Sequence, residues 1–545
     1  MKQILLYTST LLLLLFTSCE DELDKRHFTS DGFTSANIEF LYTQGASKTI
    51  DNDYSDFYTY IFRMLEVYTQ TVAQKYGTGR SSTYEIKTDN GRWEKYYVTR
   101  MQELAEMDKI YNFSLTEGEK AQYSPYMETA KILKVFNTIM ATDVLGAMPY
   151  SEAWGARNGL YGQPVNITPK YDSQKDIYFS LINDLESAAT YLKNSSLDNN
   201  IEKHRLFSSQ DIVYKGDFSK WYKFANSLCL RAAMRISNID EARAKEVLSR
   251  LSLVDLITGN EDNAYTYKEN TALVGDCTGI WRALRESQNQ NNGEYAYAPQ
   301  NMVKIFNSAN DPRMIVYYQP PSDLNGNVYD ATKPILGYPE SADAAEAIIK
   351  DKTADEIRKT YGIVNSVTIR NNSKFPNGIG ITASDVYFFL AEARVRNLIS
   401  WGNAEEFYNR GIILSIQEYY KYYKNSTETA MKIAAIADAD VSDATLTNWL
   451  ASSPYKFNSA KALEQIATQR WIHLWILQPF ENWAEYRRTD LPLMVEDREL
   501  MVLLNQQNAP VRFMYPSSEA TMNGENFKAV SSENNPKVKV WWDMK

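Results

Sequence analysis

Apolar residues recur every three or four positions in four separate parts of the chain, which is the spacing that places them on one face of an α-helix. Each part opens with a helix-capping signal, namely Ser124 followed by Pro125, then Asp217, Thr382 and Ser459. A second, shorter helical stretch follows each one, so the pattern predicts helix pairs near residues 122–191, 217–251, 383–421 and 459–488. A single pair cannot bury its own apolar face, and such pairs are therefore expected to stack into an α-α superhelix.

The helical pattern is lost between about residues 255 and 380, where Asn, Gly, Pro and Tyr are frequent. Long irregular segments inside a compact protein often carry function. Two short apolar runs in this region, Met314–Tyr318 and Ile363–Ile369, could add a strand or two. The sequence therefore predicts a mainly α-helical body interrupted by one irregular, loop-rich lobe.

The first 18 residues have the features of a secretory signal peptide. One lysine precedes an apolar run from Ile4 to Phe16, and these 13 residues are too few to span a bilayer core of about 30 Å. Cys19 follows small polar residues directly, an arrangement that resembles a bacterial lipobox, in which the cysteine becomes acylated. We therefore expect residues 1–18 to be removed, Cys19 to carry lipid, and residues 19–40 to tether the protein to a membrane.

Net charge and the content of histidine and cysteine narrow the possible functions. The 545-residue chain has 58 Lys and Arg against 68 Asp and Glu, a net charge of −10, so no nucleic-acid partner is expected. Its three histidines are far apart in sequence and its three cysteines are too few for a disulfide framework, so no metal site is predicted. The sequence has no phosphate-binding loop, dinucleotide fingerprint or nucleophile elbow, and we predict neither a cofactor nor catalytic residues.

Aromatic residues are unusually frequent, at 13% of the chain with 38 tyrosines. Sugar rings stack their C–H faces on such side chains, while their hydroxyl groups exchange hydrogen bonds with amides and charged residues. Two stretches, Tyr76–Tyr97 and Trp281–Tyr297, combine rings with such polar residues, and Tyr317–Tyr338 does so more weakly. The alternative is that these rings fill the core, as most aromatic residues do. The residues predicted to bind ligand are Tyr84, Trp93 and Tyr96 in the first stretch and Trp281, Asn292, Tyr295 and Tyr297 in the second.

Several charged residues are expected to form structural ion pairs, buried or at the rim of a helix end, rather than a binding site. Arg231 and Arg235 lie about one turn apart on a predicted helix and are expected to face carboxylates. A second charged group, at the end of the last predicted helix, consists of Glu481, Glu485, Arg487 and Arg488, and its members are likewise expected to form ion pairs.

The Trp541-Trp542 pair is expected to pin the C-terminal stretch onto the body.

A series of short motifs resembles those of one known family. Each motif is weak alone, but their order and spacing are specific as a set. The motifs are Asp143-x-x-Gly146-x-x-Pro149-Tyr150-Ser151-Glu152-Ala153, Gly216-Asp217-x-x-Lys220-Trp221, Asn310-Asp311-Pro312-Arg313, Gln469-Arg470-Trp471, Glu481-x-Trp483-x-Glu485-x-Arg487-Arg488 and Val540-Trp541-Trp542. With these motifs, the chain resembles the SusD/RagB family of nutrient-binding outer-membrane lipoproteins, from the predicted lipobox to its last residues.

This resemblance implies four tetratricopeptide-like helix pairs packed against the irregular lobe, in a single domain spanning residues 41–545. It also implies a protein on the outer face of the outer membrane that is not an enzyme and forms the lid of a SusC-like TonB-dependent barrel transporter. The implied ligand is an oligosaccharide or polysaccharide that is passed on for import.

Two alternatives remain open. The first keeps the same role with a peptide as ligand. The second is a secreted all-α glycoside hydrolase, which would need a pair of carboxyl groups roughly 5–10 Å apart across a cleft.

Overall fold

The structure, a computed structural model, describes residues 37–50, 53–73, 90–196, 201–267, 279–289, 296–322, 333–369, 375–376, 378–426, 432–496 and 509–543. Helices dominate these residues, which confirms the mainly α-helical fold class. Within the described ranges, no helix combines the length and the apolar character that crossing a membrane requires. The predicted signal peptide and Cys19 lie outside these ranges.

All four predicted helix pairs are present. α3 packs against α2 of the preceding pair, α5 packs against both α3 and α7, and α8 closes back onto α1. The pairs therefore stack in chain order, as expected for units that cannot bury their own apolar faces. The pairs are α1 (Glu117–Leu145) with α2 (Gln174–Ser196), α3 (Phe218–Ile236) with α4 (Glu241–Leu248), α5 (Ala383–Val395) with α6 (Ala404–Lys424), and α7 (Ala462–Leu474) with α8 (Pro479–Thr489).

Two predicted helix starts are confirmed by their capping bonds. At the start of α3, the Asp217 carboxylate accepts a hydrogen bond of 3.1 Å from a backbone N–H of the first turn. At the start of α5, Thr382 and Asp385 bond reciprocally as a capping box. Ser459 opens a short 3₁₀ turn, Ser459–Lys461, which leads into α7.

The predicted start of α1 is wrong. The helix begins at Glu117, after a capping box formed by Thr116 and Glu119, and it continues through Pro125. Because the capping box satisfies backbone N–H groups of the first turn, the helix is already established when it reaches the proline, which lacks an N–H. The Ser124 hydroxyl does not cap the helix but donates a hydrogen bond of 3.2 Å to the carbonyl oxygen one turn earlier.

Further helices, which the sequence pattern did not predict, surround the pairs. Two segments, Asp56–Leu65 and Lys95–Arg100, are π-helical. The first helix begins at Ile38, inside the stretch that was predicted to be a tether. The other helices are Ile38–Thr49, Glu66–Tyr68, Asn90–Glu94, Gln102–Phe113, Ile201–Gln210, Gly279–Asn289, Gln300–Ala309, Met314–Tyr317, Ala342–Ile349, Ala354–Arg358, Ser366–Ile369, Ala434–Ala437, Asp443–Ser452, Glu519–Met522 and Gly524–Phe527, with 3₁₀ turns at Gly155–Tyr161, Leu253–Asp255, Asn260–Asp262, Ser459–Lys461, Ser531–Glu533 and Trp541–Asp543.

The irregular lobe contains short antiparallel strand pairs. β2 pairs with β3 in the register Tyr318 to Val364, and β1 pairs with β4. The strands predicted here are confirmed only in part, because Met314–Tyr317 and Ser366–Ile369 form short helices beside the two-residue strands. The strands are β1 (Tyr265–Thr266), β2 (Tyr318–Gln319), β3 (Ile363–Val364) and β4 (Gly378–Ile379).

A buried network of ion pairs, here called the central ion network, joins helices from all four pairs. Arg235 on α3 contacts Asp143 on α1 at 3.2 Å, and Glu481 and Glu485 on α8 at 2.6 and 2.5 Å. Arg488 on α8 bonds to Glu485 and to Glu392 on α5, and Arg470 on α7 pairs with Glu481 and Glu485. The prediction that Arg235 and Arg488 face carboxylates is confirmed.

The remaining two arginines of the predicted ion pairs differ from one another. Arg231 lies 3.9 Å from Asp385 and 3.7 Å from Glu481, so its predicted carboxylate partners are present at longer range. Arg487 was predicted to pair with a glutamate, but it donates hydrogen bonds of 2.8 Å to the backbone carbonyls of Asp143 and Val511. A guanidinium group has five donors, and these two bonds to backbone carbonyls let Arg487 tie the C-terminal segment to α1.

The C-terminal segment closes over the central ion network. Trp542 is fully buried, and its indole N–H donates a hydrogen bond of 2.8 Å to the Asp143 carboxylate. The guanidinium groups of Arg235 and Arg487 lie 5.3 and 4.8 Å from the centre of the Trp542 ring system. The prediction that Trp541-Trp542 pins this segment onto the body is confirmed.

The carboxyl group next to Trp542 makes stability depend on pH. Burial raises the pKa of Asp543 to about 6, although Arg487 and Lys539 act in the opposite direction. The pKa of an aspartate in an unfolded chain is about 3.9, so the folded state holds this proton more tightly. The contribution of Asp543 to stability is therefore greatest below about pH 4 and falls as pH rises to about 6.

We expect Asp543→Asn to gain stability relative to the wild type as pH rises through this window. The check is urea unfolding of both proteins at about pH 4 and about pH 7. The exposed substitution Asp443→Asn serves as the control for loss of a surface carboxylate. A difference in unfolding free energy that stays the same at both pH values would contradict this expectation.

Candidate ligand-binding site

A small network of backbone hydrogen bonds joins distant segments of the irregular lobe. Ala73 and Tyr297 exchange reciprocal N–H···O bonds of 2.8 and 3.0 Å. Tyr297 also bridges to Ile363, which pairs with β2 on its other side. The backbone N–H of Tyr338 donates to the Ala298 carbonyl at 2.7 Å. We name these segments the lobe framework: Ala73, Ala296–Gln300, Tyr318–Gln319, Leu336–Tyr338 and Gly362–Val364.

Stacked tyrosines stabilise the lobe framework. The rings of Tyr297 and Tyr338 are stacked with centroids 5.0 Å apart, and the Tyr361 ring meets Tyr338 edge-on at 5.1 Å. These rings belong to a small apolar cluster that is separate from the main core. Tyrosine suits this position because it favours extended backbone and supplies a large, rigid contact surface.

The lobe framework includes residues at or close to one end of each stretch that the sequence singles out. Ala73 lies directly before residues 74–89, Ala296 directly after 290–295, and Ser322 directly before 323–332. The Ser322 hydroxyl accepts a hydrogen bond of 2.6 Å from the Gln319 side chain, which fixes this residue to β2. Chain segments next to or within all three stretches therefore meet at one place in the fold, whereas the described part of the first stretch, residues 90–97, is helical and lies outside the lobe framework.

The helix Asp56–Leu65 contacts described residues of both the first and the second stretch. It packs against Gly279–Asn289, the helix that carries Trp281, and the Arg282 guanidinium lies 4.2 Å from the centre of the Tyr54 ring. The Asp56 carboxylate at its start bonds to Arg92 at 2.5 Å. One helix thus contacts both stretches with the most candidate binding residues.

Three of the seven predicted binding residues are buried. Tyr96, Trp281 and Tyr297 are only 3%, 4% and 2% exposed, because helix packing and the framework stack cover their rings. These three rings lie in the apolar clusters of the described structure, and their contact with a ligand stays a prediction. The predicted binding residues outside the described ranges, which remain predictions, are Tyr84, Asn292 and Tyr295.

Trp93 is partly exposed and belongs to a group of aromatic side chains. Its ring centroid lies 4.8 Å from that of Tyr97, 6.0 Å from that of Tyr515 and 6.3 Å from that of Tyr171. All but the fully buried Tyr515 retain some exposure to solvent. We call this group the Trp93 cluster, and its members are Trp93, Tyr97, Trp154, Tyr171, Tyr515 and Phe527.

Hydrogen bonds from the polar tips hold the rings of the Trp93 cluster in place. The Tyr97 hydroxyl donates to the Pro149 carbonyl at 2.5 Å, and the Trp154 indole N–H donates to the Tyr97 carbonyl at 3.0 Å. The Tyr171 hydroxyl donates to the Glu519 carboxylate at 2.7 Å. With their polar tips engaged in the protein, these side chains offer mainly flat apolar surface to a ligand.

A buried aspartate fixes the helix that carries Trp93. Asp56 is paired with Arg92, Arg100 and Lys95, at 2.5, 3.1 and 3.1 Å. Burial acts to raise the pKa of this carboxyl, but the three cations outweigh it and lower the pKa to about 2. Asp56 therefore stays ionised near neutral pH and holds the segment 90–100 against the helix Asp56–Leu65.

The phenols of the Trp93 cluster are neutral groups. Burial raises the pKa values of Tyr97 and Tyr171 well above that of free tyrosine, and raises the pKa of Tyr515 to about 12. Its phenols therefore remain protonated and neutral across the physiological pH range. Such a surface can stack on an uncharged ring and exclude water, but its phenols supply no acid–base pair.

Sequence reasoning missed most members of the Trp93 cluster. Trp93 and Tyr97 are one helical turn apart, and this spacing could have predicted that their rings lie side by side. Trp154 follows the Pro149–Ala153 motif, and its left-handed backbone, with φ of 58°, turns its ring toward Tyr97. Tyr171 and Tyr515 come from distant parts of the chain, so no local pattern brings them to Trp93.

Comparison with solved structures defines the class of fold. A chitin-binding protein matches with 22% identity and a TM-score of 0.70 over 93% of this chain and 100% of its own. A SusD homologue from Bacteroides uniformis matches with 22% identity and a TM-score of 0.69 over 93% and 99% of the two chains. A chitin-binding SusD homologue from Flavobacterium johnsoniae gives 18% identity, a TM-score of 0.69 and coverage of 93% and 99%. The protein therefore has the SusD-like fold.

The family follows from the sequence as well. A SusD-like family model, described as starch-binding and associating with the outer membrane, matches residues 32–516. The chain belongs to this SusD-like family, which confirms the resemblance seen in its motifs. Among curated proteins, none matches this sequence.

Proposed function

We propose that this chain is a lipid-anchored protein of the outer membrane that binds an oligosaccharide or polysaccharide and delivers it for import. Cys19 would carry the lipid, and the body would face the cell exterior. The delivery partner would be a SusC-like TonB-dependent barrel transporter, for which this protein acts as the lid. Membership of a family described as starch-binding and associating with the outer membrane supports the ligand class and the location.

One observation carries the choice of site: the lobe framework joins Ala73, three residues before the first stretch, to described residues of the second and third stretches. A neutral sugar chain needs flat apolar surfaces for its C–H faces and amides or charges for its hydroxyls. The Trp93 cluster supplies partly exposed rings next to the same helix, Asp56–Leu65, that packs on the second stretch. Capture would rest on stacking and hydrogen bonding, with no bond made or broken.

The test is isothermal calorimetry of the chain from residue 20 onward against starch, chitin oligosaccharides, other polysaccharides and oligopeptides. Saturable binding of a glycan without release of new reducing ends supports the proposal. Binding to peptides alone would transfer the ligand class to peptides while keeping the transport role. Release of new reducing ends from a bound glycan would contradict the proposal and favour a glycoside hydrolase.

Trp93→Ala is expected to weaken glycan binding at least about tenfold, because an aromatic anchor contributes a large share of binding energy. Trp401→Ala is the matched control, since Trp401 is also partly exposed but packs against Phe407 between α5 and α6. Calorimetry of both variants with the same glycan provides the measurement. Equal affinities of Trp93→Ala and the wild type would remove the Trp93 cluster from the site.

A further inference from the structure

A pocket opens between the third and fourth helix pairs, away from the lobe framework. Its volume is about 100 Å³, and α5, α7 and α8 contribute its walls together with Asn238 and Leu491. Leu463, at its mouth, is 42% exposed, whereas Ile466 and Leu474 line it as buried side chains. Most of its lining is therefore either aliphatic or part of the central ion network.

The charged groups around this pocket already have their partners. Arg488 bonds to both carboxylate oxygens of Glu392 and of Glu485. Arg396 bonds to Glu392 and to the hydroxyl of Ser237. The four guanidinium groups of Arg235, Arg396, Arg470 and Arg488 face the four carboxylates of Asp143, Glu392, Glu481 and Glu485, and Arg231 adds a further cation 3.7 Å from Glu481.

Asn482 is the exception among the neutral polar side chains of the lining. It is 2% exposed, and its amide nitrogen has no hydrogen-bond partner among the residues that the structure describes. Other polar groups nearby are engaged: the Asn238 amide donates to the Arg488 carbonyl at 2.9 Å, and the Thr489 hydroxyl donates to the Glu485 carbonyl at 2.7 Å. A buried amide donor without a partner has a substantial energetic cost, which a ligand in the pocket would remove.

We propose that this pocket binds a small neutral molecule with one hydrogen-bonding group, such as an amide or a hydroxyl, on a short aliphatic body. The volume admits about six non-hydrogen atoms. The Asn482 amide bonds to the polar group, and Leu463, Ile466 and Leu474 cover the aliphatic part. A charged ligand is disfavoured, because burying a charge that brings no counter-ion of its own has a high desolvation cost. This site does not depend on the proposed glycan-binding function.

The experiment titrates the chain from residue 20 onward with isobutyramide and with isobutyrate, its charged counterpart, and follows binding by ligand-observed NMR. We expect isobutyramide to bind with a dissociation constant of about 1 mM, given its size. Asn482→Leu, close to isosteric, is expected to weaken this binding by roughly tenfold, the effect of one lost hydrogen bond. Asn448→Leu, at an exposed position on the helix Asp443–Ser452, is the matched control and should bind like the wild type.

Leu463→Trp provides an independent variant, because it fills the exposed mouth of the pocket and leaves the buried network intact. It should abolish isobutyramide binding, and it keeps the test valid if Asn482→Leu does not fold. The proposal is overturned if isobutyramide does not bind the wild type, or if binding survives Leu463→Trp. Isobutyrate binding as tightly as isobutyramide would overturn it as well.

Discussion

Arg488→Met is expected to lower the free energy of unfolding by about 3–5 kcal/mol. Arg488 is 1% exposed, and its guanidinium group bonds to the carboxylates of Glu392 and Glu485 at distances between 2.5 and 3.1 Å. Methionine fills a similar volume but carries no charge, so the buried carboxylates of Glu392 and Glu485 lose one of their cations. The loss comes from this uncompensated charge, and equilibrium urea unfolding followed by circular dichroism measures it.

Arg250→Met is the matched control for this substitution. Arg250 also pairs with two glutamates, Glu186 and Glu246, but its side chain is 47% exposed. Water screens such surface pairs, so the expected loss is below about 1 kcal/mol. Similar losses for Arg488→Met and Arg250→Met would show that burial of the central ion network does not govern its contribution.

Trp542→Ala is expected to destabilise the fold by about 3–5 kcal/mol, as does truncation of other fully buried large side chains. The substitution opens a cavity over the central ion network and removes the hydrogen bond that the indole donates to Asp143. It also removes the aromatic face next to Arg235 and Arg487. The measured quantities are the midpoint and slope of urea unfolding, compared with those of the wild type.

The neighbouring residue supplies the comparison for Trp542. Trp541 is partly exposed, and its ring lies 6.4 and 6.5 Å from the rings of Phe179 and Tyr178. Trp541→Ala should therefore cost clearly less than Trp542→Ala, because less of the ring is buried and no network bond is lost. The prediction fails if Trp541→Ala is as destabilising as Trp542→Ala.

The helix pairs were predictable because their signals are local. Apolar periodicity marks one face of each helix, and caps such as Asp217 and the Thr382–Asp385 box bond within four residues. The predicted start of α1 was wrong although its signal is also local. Two capping signals compete there, and the Thr116–Glu119 capping box, which is as visible in the sequence as Ser124-Pro125, lies further upstream. The π-helical segment Asp56–Leu65 leaves no comparable mark in the pattern.

The binding residues were harder to predict because burial depends on distant partners. Tyr297 looked like a ligand-facing tyrosine, but Ala73 and Tyr338, from remote segments, pack it into the lobe framework. Composition showed where rings and amides concentrate, but it could not separate partly exposed Trp93 from buried Tyr96, three residues away. The sequence therefore indicated the stretches, while the exposure of individual rings required the fold.

The central ion network has a consequence for how this chain is made. The bond from Trp542 to Asp143 joins positions 399 residues apart, and the bond from Arg235 to Glu485 joins positions 250 apart. At a ribosome speed of about 5–20 residues per second, Asp143 precedes Trp542 by roughly 20–80 s. During this interval the charged residues of α1 and α3 lack some of their partners, and burying them unpaired would have a high free-energy cost. The superhelix therefore cannot close one pair at a time. The nascent chain is therefore expected to stay open until its last partners arrive, a state suited to threading through a narrow export channel before folding.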